Sequence, residues 1–332
     1  MAKIDGTLTS ARQVRCALCN TKAIVYLPYS RRALCKKHFL HSVESRVKRT
    51  IRRYQMLDNA RHIAVAVSGG KDSLTTLYIL NQIAAPAKIK LTAIIVDEGI
   101  KGYRDKMIEE TRRICEKIGV QLNICSFKEE IGFTMDEIAH ADKEQREVSC
   151  TYCGVFRRWI LNKAAREIGA DRIAVGHNLD DVIQSYLMNV LRNEPSRLAR
   201  FGPVGGIIDD EKFVKRIRPL FTIPEKEIAL YAILRGLKSD FGGCPYVEEA
   251  FRPVVRNFLN DLESKYPSTK LKLFSSFIEM QKILEEKYKE AYSDINEDAA
   301  MIKECSSCNE LSSSSLCKRC ELIKDLKALM RR

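Results

Sequence analysis

The chain has 332 residues, 45% of them hydrophobic, so it is long enough for two or three domains with apolar cores. Lys and Arg number 56 against 43 Asp and Glu, which gives a formal net charge of +13. No apolar run is long enough to span a membrane and the N-terminus has no apolar h-region, so we expect no membrane partner, no secretory signal and a cytoplasmic location.

The basic charge favours a polyanionic partner, because contacts with phosphates release counterions. Lys and Arg are concentrated in three segments, RRALCKKHF, SRVKRTIRRY and FVKRIRP. The charge therefore predicts a nucleic acid partner, with a solvated basic surface as the alternative. It does not distinguish RNA from DNA.

The predicted elements begin with a short Cys/His module at 16–38 and a basic helix at roughly 41–56. Strands are then predicted at 62–67, 91–96, 120–125 and 172–175, and helices between and after them at 104–118, 155–169 and 180–191. This alternation predicts an α/β fold with a doubly wound parallel sheet, which binds its ligand at the carboxyl ends of the strands.

From residue 225 onward the pattern is helical. Helices are predicted at 225–237, 247–263 and 271–290, before a polar linker and a second Cys module. We therefore divide the chain into an N-terminal zinc finger (1–45), a nucleotide-binding domain (46–237), a helical part (238–292) and a C-terminal zinc ribbon (293–332).

The most informative motif is the SGGKDS segment at 68–73, directly after the apolar run at 63–67. Glycines between a buried strand and a helix let backbone N–H groups approach an anion at the helix N-terminus. The spacing differs from that of the usual nucleotide loop. It is similar to the signature of the PP-loop ATP pyrophosphatases, which release pyrophosphate from ATP; an ordinary Gly-rich turn is the alternative.

Two sets of paired ligands predict metal sites near the ends of the chain. A lone CxxC pair is explained by chance or redox chemistry, but two close pairs in one module can close a tetrahedral zinc site. Such closed sites are structural, because no position stays open for a substrate. The two predicted zinc sets are Cys16, Cys19, Cys35 and His38, and Cys305, Cys308, Cys317 and Cys320.

Three central cysteines have a different pattern. Cys150 and Cys153 precede a helix predicted to begin near Gly154, and Cys244 is followed by proline. Three thiolates can hold three irons of a 4Fe–4S cluster and leave the fourth iron open. A catalytic thiol or persulfide pair and an inert buried set are the alternatives. The two arginines at 157 and 158 are expected to lower the pKa of these thiols.

The chain as a whole resembles the TtuA- and NcsA-type tRNA 2-thiouridine synthetases, PP-loop ATPases of the TtcA superfamily. The resemblance rests on both Cys modules and on SGGKDS (68–73), CTYCGVFRR (150–158), GHNLDD (176–181) and CPY (244–246). Three segments are more similar to the branch that thiolates the wobble uridine, position 34: VDEGIKGYRD (96–105), CTYCGVFRR (150–158) and EAFRPVVRNFLNDLE (249–263). His38 as a zinc ligand is more familiar in the branch that acts on the T-loop, position 54.

The resemblance implies an adenine nucleotide α-hydrolase-like fold and an ATP-dependent tRNA sulfurtransferase. The uridine O2 attacks the α-phosphate and releases pyrophosphate; sulfur then attacks C2 and AMP leaves. Lys71, Asp72, Arg157 and Asp181 are implied catalytic residues, with Mg²⁺ on the two carboxylates and with His177 either structural or direct in its role. The residues implied for ATP are Ala66, Ser68, Gly69, Gly70, Lys71, Asp72, Ser73, Arg157 and Gly176.

Several expectations remain open at this level. The sulfur donor is sulfide, a persulfide or a ubiquitin-like thiocarboxylate carrier, and a homodimer is possible. Two other functions compete with tRNA thiolation: another PP-loop ligase such as an amidotransferase-like synthetase, and a non-catalytic zinc-finger RNA-binding protein. The cysteine trio disfavours the first, and the intact Lys71, Asp72 and Asp181 disfavour the second.

Overall fold

The computed structural model describes residues 14–142, 149–205, 212–237, 243–246, 251–294 and 303–330. Its strands are β1 (Val25–Leu27), β2 (Arg32–Leu34), β3 (His62–Val67), β4 (Lys90–Asp97), β5 (Gln121–Ser126), β6 (Arg172–Val175), β7 (Val204–Gly205), β8 (Lys215–Ile217), β9 (Lys303–Glu304) and β10 (Leu311–Ser312).

Its helices include the one that begins in the SGGKDS segment and the one that carries Cys150 and Cys153. In chain order they are α1 (Lys36–Arg53), α2 (Lys71–Ala84), α3 (Arg104–Ile118), α4 (Phe127–Ile131), α5 (Met135–Ala141), α6 (Ser149–Glu167), α7 (Leu179–Leu191), α8 (Pro195–Arg200), α9 (Glu225–Arg235), α10 (Arg252–Lys265), α11 (Thr269–Asp294) and α12 (Lys318–Leu329). None of these helices has the length and apolar content that a membrane crossing requires.

The central sheet has the strand order β5-β4-β3-β6-β8-β7. Neighbouring strands from β5 to β8 are parallel, and the short edge strand β7 runs antiparallel to β8. The predicted α/β fold with a parallel sheet is confirmed, and the antiparallel edge is an addition to it. Helices cover both faces of β3 and β4, which explains their nearly continuous apolar sequences.

The predicted helix at 155–169 is wrong at its start, because α6 begins at Ser149. The Cys150/Cys153 pair therefore lies within the first turns of α6 and not before it. Tyr152 and Phe156 are both buried in the core, and this packing outweighs the low helix propensity of Gly154. The predicted helix at 247–263 begins outside the described residues. Within them, the helix in this part of the chain is α10.

The two Cys modules pack against opposite parts of the core. In one apolar cluster, Cys16, Leu27 and Leu34 of the N-terminal module join α1 and the sheet. In another, Leu322 and Leu326 of α12 join Phe156 on α6. Arg319 also lies on α12, and its guanidinium is 3.7 Å from the ring centre of Trp159 on α6. Both modules thus share apolar cores with the nucleotide-binding sheet.

Candidate active site

The SGGKDS segment forms a tight turn between β3 and α2. Gly69 has φ +80°, and a Cβ there would lie 2.7 Å from Cβ of Met107, so only glycine fits. Ser68 N–H donates to Oγ of Ser73 at 3.0 Å, and that hydroxyl donates to the Gly70 carbonyl at 3.0 Å. These bonds hold the turn so that the first turn of α2 presents its N–H groups outward, as an anion site requires.

The GHNLDD segment lies beside this turn because β3 and β6 are adjacent parallel strands. A Cβ on Gly176 would lie only 2.8 Å from the backbone N of Ser73. Glycine at 176 therefore permits the end of β6 to touch the start of α2. The implied ATP residue Ala66 lies one strand position before Val67, between β4 and β6.

Lys71 and Asp72 belong to a polar network at the start of α2. Lys71 Nζ lies 2.9 Å from Asp72 Oδ2 and 2.8 Å from Glu225 Oε1, while the Asn178 amide donates to Asp72 Oδ1 at 3.0 Å. Burial disfavours the charged form of Lys71, but the carboxylates of Asp72 and Glu225 outweigh burial and raise its pKa. Burial raises the pKa of Asp72 despite Lys71 and Asn178.

The two aspartates of GHNLDD have separate environments. Asp180 is buried, pairs with Lys270 and accepts the Glu225 N–H at 2.7 Å. Asp181 accepts the Asn178 N–H at 3.1 Å in a capping box at the start of α7 and lies 3.7 Å from Arg252. Burial raises the pKa of Asp181 to about 6, and Asp72 and Glu225 add to the effect. The carboxylates of Asp72, Asp181 and Glu225 thus lie near one another. Asp180 instead has a structural role, through its contact with Lys270.

Glu98 connects the nucleotide loop to the Cys pair. It is completely buried and forms ion pairs with Arg104 and with Arg157, the latter at 3.0 Å between Oε1 and Nε. Arg104 donates to the carbonyl of Ser68 at 2.9 Å, and Arg157 donates to Sγ of Cys153 at 2.9 Å. Burial alone would lower the pKa of Arg157, but Glu98 and Cys153 raise it.

The central cysteines lie close to this network. Burial raises the pKa of Cys153; Arg157 lowers it, as expected, but by less. Cys150 is exposed and its Sγ lies 3.9 Å from the carbonyl of Tyr246, whose hydroxyl donates to Asp136 at 2.7 Å. Tyr246 thus anchors the segment that carries Cys244.

The three central thiols differ from the terminal sets in their arrangement. Within the described ranges, only the two terminal sets bring all their ligand atoms within 4.8 Å of one another. Soft thiolates are the ligands that iron–sulfur clusters prefer, so the chemistry of Cys150, Cys153 and Cys244 fits such a cluster.

Each terminal set brings its four ligand atoms close enough to share one metal ion. Nδ1 of His38 lies 3.4 Å from Sγ of both Cys16 and Cys35, and the thiols of Cys308 and Cys317 are 3.5 Å apart. The backbone N–H of His38 and, next to it, the side chain of Thr21 lower the pKa of Cys35 to about 6, so the thiolate form is favoured. The sequence thus placed all eight predicted ligands in two groups that could hold a metal.

His177 follows β6 and keeps part of its surface exposed. The pKa of its imidazole is lowered by partial desolvation and by four arginines, at 218, 252, 216 and 157. The imidazole is therefore neutral at pH 7. Its ring makes no hydrogen bond to the part of the chain that the structure describes, and it contacts Phe201 edge-on with 6.2 Å between ring centres.

A cavity of about 380 Å³ joins the nucleotide loop to Cys244 and to Arg157, which contacts Cys153. Its lining residues are Ser68, Gly70, Lys71, Asp72, Ile100, Tyr103, Arg104, Met107, Arg157 and Cys244. A larger depression of about 710 Å³ between α1 and α9 lacks the nucleotide loop and the paired aspartates. We therefore assign the candidate site to the smaller cavity.

Sequence reasoning missed Glu98, Arg104, Asn178 and Glu225. Glu98 had a detectable signal, since it is an acidic residue directly after the apolar strand β4, at the edge of the sheet where ligands bind. Glu225 had none, because it reaches Lys71 from a distant segment.

Two family models match the chain. The PP-loop domain model matches residues 40–261, and the model of the N-terminal LIM domain of the 2-thiouridine synthetase TtuA matches residues 15–40.

Named relatives match over nearly the whole chain. The tRNA 2-thiolation protein NcsA of Haloferax volcanii is 33% identical and covers 95% of this chain and 100% of its own length. The tRNA-5-methyluridine(54) 2-sulfurtransferase of Pyrococcus horikoshii is 35% identical over 93% of each chain. The U34-tRNA thiolase NcsA of Methanococcus maripaludis, solved with its 4Fe–4S cluster, has a TM-score of 0.78 and 33% identity over 94% of this chain and 96% of that one.

Proposed function

The chain belongs to the PP-loop family of tRNA 2-thiolation enzymes, and we propose that it converts the wobble uridine of tRNA to 2-thiouridine with ATP. The observation that carries the proposal is the position of Arg157. Its side chain lines the cavity with Lys71 and Asp72 and also donates to Sγ of Cys153. One arginine thus joins a site that activates an oxygen to a site that supplies sulfur.

The first step adenylates the uridine. Its O2 attacks the α-phosphate of ATP, the bond to the β-phosphate breaks, and pyrophosphate leaves. Backbone N–H groups of the 68–70 turn and the ammonium of Lys71 hold the phosphates; to do so, Lys71 exchanges its contacts with Asp72 and Glu225 for contacts with phosphate. Arg157 stabilises the negative charge that develops on the reacting phosphate.

Asp72 and Asp181 are the proposed Mg²⁺ ligands. Both are carboxylates at the carboxyl edge of the sheet, and hard oxygen ligands suit this ion. Burial raises the pKa of both carboxyl groups, and neighbouring carboxylates add to the effect; a divalent cation would favour their charged forms.

The second step replaces oxygen with sulfur. Sulfur attacks C2, the C2–O bond breaks, and AMP leaves; adenylation is needed because a carbonyl oxygen is a poor leaving group. Cys150, Cys153 and Cys244 would hold a 4Fe–4S cluster, which supplies an open iron for the sulfur. A persulfide on one of the same thiols is the alternative carrier: its outer sulfur bonds to C2, and a second thiol then attacks the inner sulfur, which releases thiouridine and leaves a disulfide. Arg157 contacts either carrier through Cys153.

The terminal ligand sets are proposed to hold one zinc ion each. Zinc would replace protons on the cysteines and so link the folding of each module to metal. Neither set borders the 380 Å³ cavity, which supports a structural role.

The wobble position is favoured by the VDEGIKGYRD and CTYCGVFRR segments of this sequence and by likeness to the U34-tRNA thiolase. Position 54 is the second candidate, because His38 supplies the fourth N-terminal ligand and the Pyrococcus relative carries that activity in its name. We place the enzyme in the cytoplasm, where reducing conditions keep its cysteines available for metal. The proposal includes a homodimer as one oligomeric state, and sulfide, a persulfide or a thiocarboxylate carrier as the sulfur donor.

The test is an anaerobic reaction of the metal-loaded enzyme with tRNA, ATP, Mg²⁺ and sulfide. Nucleosides are identified by mass spectrometry and mapped to tRNA position, and pyrophosphate is measured in parallel. Release of one pyrophosphate per thiouridine formed at position 34 supports the proposal. Thiouridine at position 54 overturns the choice of position. Pyrophosphate without thiouridine would indicate another ligase, and no pyrophosphate would indicate an RNA-binding protein.

A further inference from the structure

Arg158, Arg216 and Arg218 form a cationic cluster beside His177. Arg216 on β8 donates to the carbonyl of Arg158 on α6 at 3.0 Å, so the two elements meet here. Arg218, just after β8, is buried and donates to the carbonyl of Gly202. None of the three arginines lines the 380 Å³ cavity. The two sites are neighbours, because Arg157 of the cavity lies near Arg158, and Arg216 and Arg218 lie near His177.

Among the described residues, the cluster has no acidic partner. Over the described ranges no carboxylate lies within ion-pair distance of these three side chains, whereas Arg157 and Arg252 each have one. Desolvation and mutual repulsion lower the pKa of Arg216 and of Arg218 to about 10, and burial with Arg157 and Arg197 lowers that of Arg158. Uncompensated guanidinium groups at close range oppose folding, and an anion would relieve them.

Aromatic rings lie next to the cluster. The guanidinium of Arg218 stacks 4.7 Å from the ring centre of Phe201, and that ring meets the neutral imidazole of His177. Sites that bind unstacked RNA bases often combine aromatic rings with guanidinium groups. The base stacks on the rings, and the cations bind the adjacent phosphate.

We propose that Arg158 and Arg216, backed by Arg218, bind a backbone phosphate of the substrate RNA next to the target uridine. The assignment rests on the proposed tRNA thiolation and names how its substrate is held. The ATP phosphates have their own cations, Lys71 and Arg157, in the cavity. A phosphate held beside His177 would keep the flipped uridine over the boundary between the ATP cavity and the Cys pair.

The experiment compares the double variant Arg158→Gln/Arg216→Gln with Arg112→Gln/Lys117→Gln, which removes two charges from α3. The affinity for an unmodified tRNA transcript is measured by filter binding over a salt series, with ATP affinity and the melting temperature as folding controls. We expect the cluster variant to bind tRNA about tenfold more weakly, with a salt slope lower by about one, since one phosphate contact is lost. Binding of ATP should not change, and Arg158→Lys/Arg216→Lys should restore most of the tRNA affinity.

Equal tRNA affinity and salt slope in the two Gln variants would overturn the inference. If the cluster variant binds tRNA normally but uses a protein sulfur donor poorly, the surface belongs to that donor and the inference is also wrong. The two levels of proposal are separable: wild-type protein that neither binds nor thiolates tRNA contradicts the function, and a wild type that does both leaves only the phosphate site in question.

Discussion

Arg157 donates a hydrogen bond to Sγ of Cys153 at 2.9 Å. The same guanidinium is held by Glu98, which has no exposed surface and also pairs with Arg104 beneath the nucleotide loop. A single buried carboxylate therefore sets the position of both the sulfur site and the ATP site relative to each other.

Replacing Glu98 tests this dependence. Glu98→Gln removes the negative charge between two buried arginines, so we expect the free energy of unfolding to fall by about 3 kcal/mol. Urea denaturation measures the loss. Glu109→Gln, at an exposed residue on α3 that is 3.9 Å from Arg112, should change stability by less than about 0.5 kcal/mol. Equal stability of both variants would contradict the structural role of Glu98.

The central cysteines should be required for sulfur transfer only. Alanine at Cys150, Cys153 or Cys244 is expected to abolish thiolation while ATP affinity stays within about twofold, because the nucleotide loop is unchanged. Thiolation and ATP binding are measured on anaerobically reconstituted protein, with Cys125→Ala as the control. Normal sulfur transfer without cluster absorbance would exclude the cluster and leave the persulfide.

The two aspartates of GHNLDD should separate fold from chemistry. Asp180→Asn removes the negative charge that balances the buried Lys270, whose other polar contact is the neutral Asn260, so we expect a loss of about 3 kcal/mol in the free energy of unfolding. Asp181→Asn should keep the fold and reduce pyrophosphate release by about 100-fold or more. Melting curves and pyrophosphate assays distinguish the outcomes, and the reverse assignment would count against Asp181 as a Mg²⁺ ligand.

The pH dependence of adenylation should report Asp181. Its pKa is raised from 3.8 to about 6, so the folded state holds this proton more tightly than the unfolded state does. Its contribution to stability is therefore largest below pH 4 and is lost as the pH rises through 6. Pyrophosphate release needs the carboxylate and follows the opposite direction, falling as the pH drops below about 6.

Arg252 gives the matched control for that profile. Its charge lowers the pKa of Asp181, so Arg252→Gln should move the midpoint of pyrophosphate release to higher pH. A midpoint that stays in place, or that lies near 4 in the wild type, would assign the titration to another group.

Zinc content should follow the two ligand sets. Elemental analysis is expected to give two zinc ions per chain, and Cys16→Ser should remove one and lower the melting temperature, because Cys16 shares a core with Leu27 and Leu34. Cys125→Ser should retain both ions. A Cys16→Ser protein with full zinc content would show that this set is not a metal site.

The sequence predicted the parts of the site that are local in the chain. Ser68 to Ser73 and Gly176 to Asp181 follow apolar strands, and the order of those strands brings the two segments together. Glu225 was not predictable in the same way, because its contact with Lys71 depends on how α9 packs against α2. The early start of α6 was missed because local propensity at Gly154 opposes a helix that core packing enforces. The short strands β7 and β8 gave no periodic signal.

The stacking of Arg319 on Trp159 provides an optical signal. Trp159 is the single tryptophan in the sequence, and it lies on the helix that carries Cys150 and Cys153. Of the two cations over its ring, the nearer one, Arg319, comes from the C-terminal Cys module, and the other is Lys163. The emission spectrum of Trp159 therefore monitors the docking of that module without any added label. Release of metal from the module and events at the sulfur site can be followed through one intrinsic fluorophore.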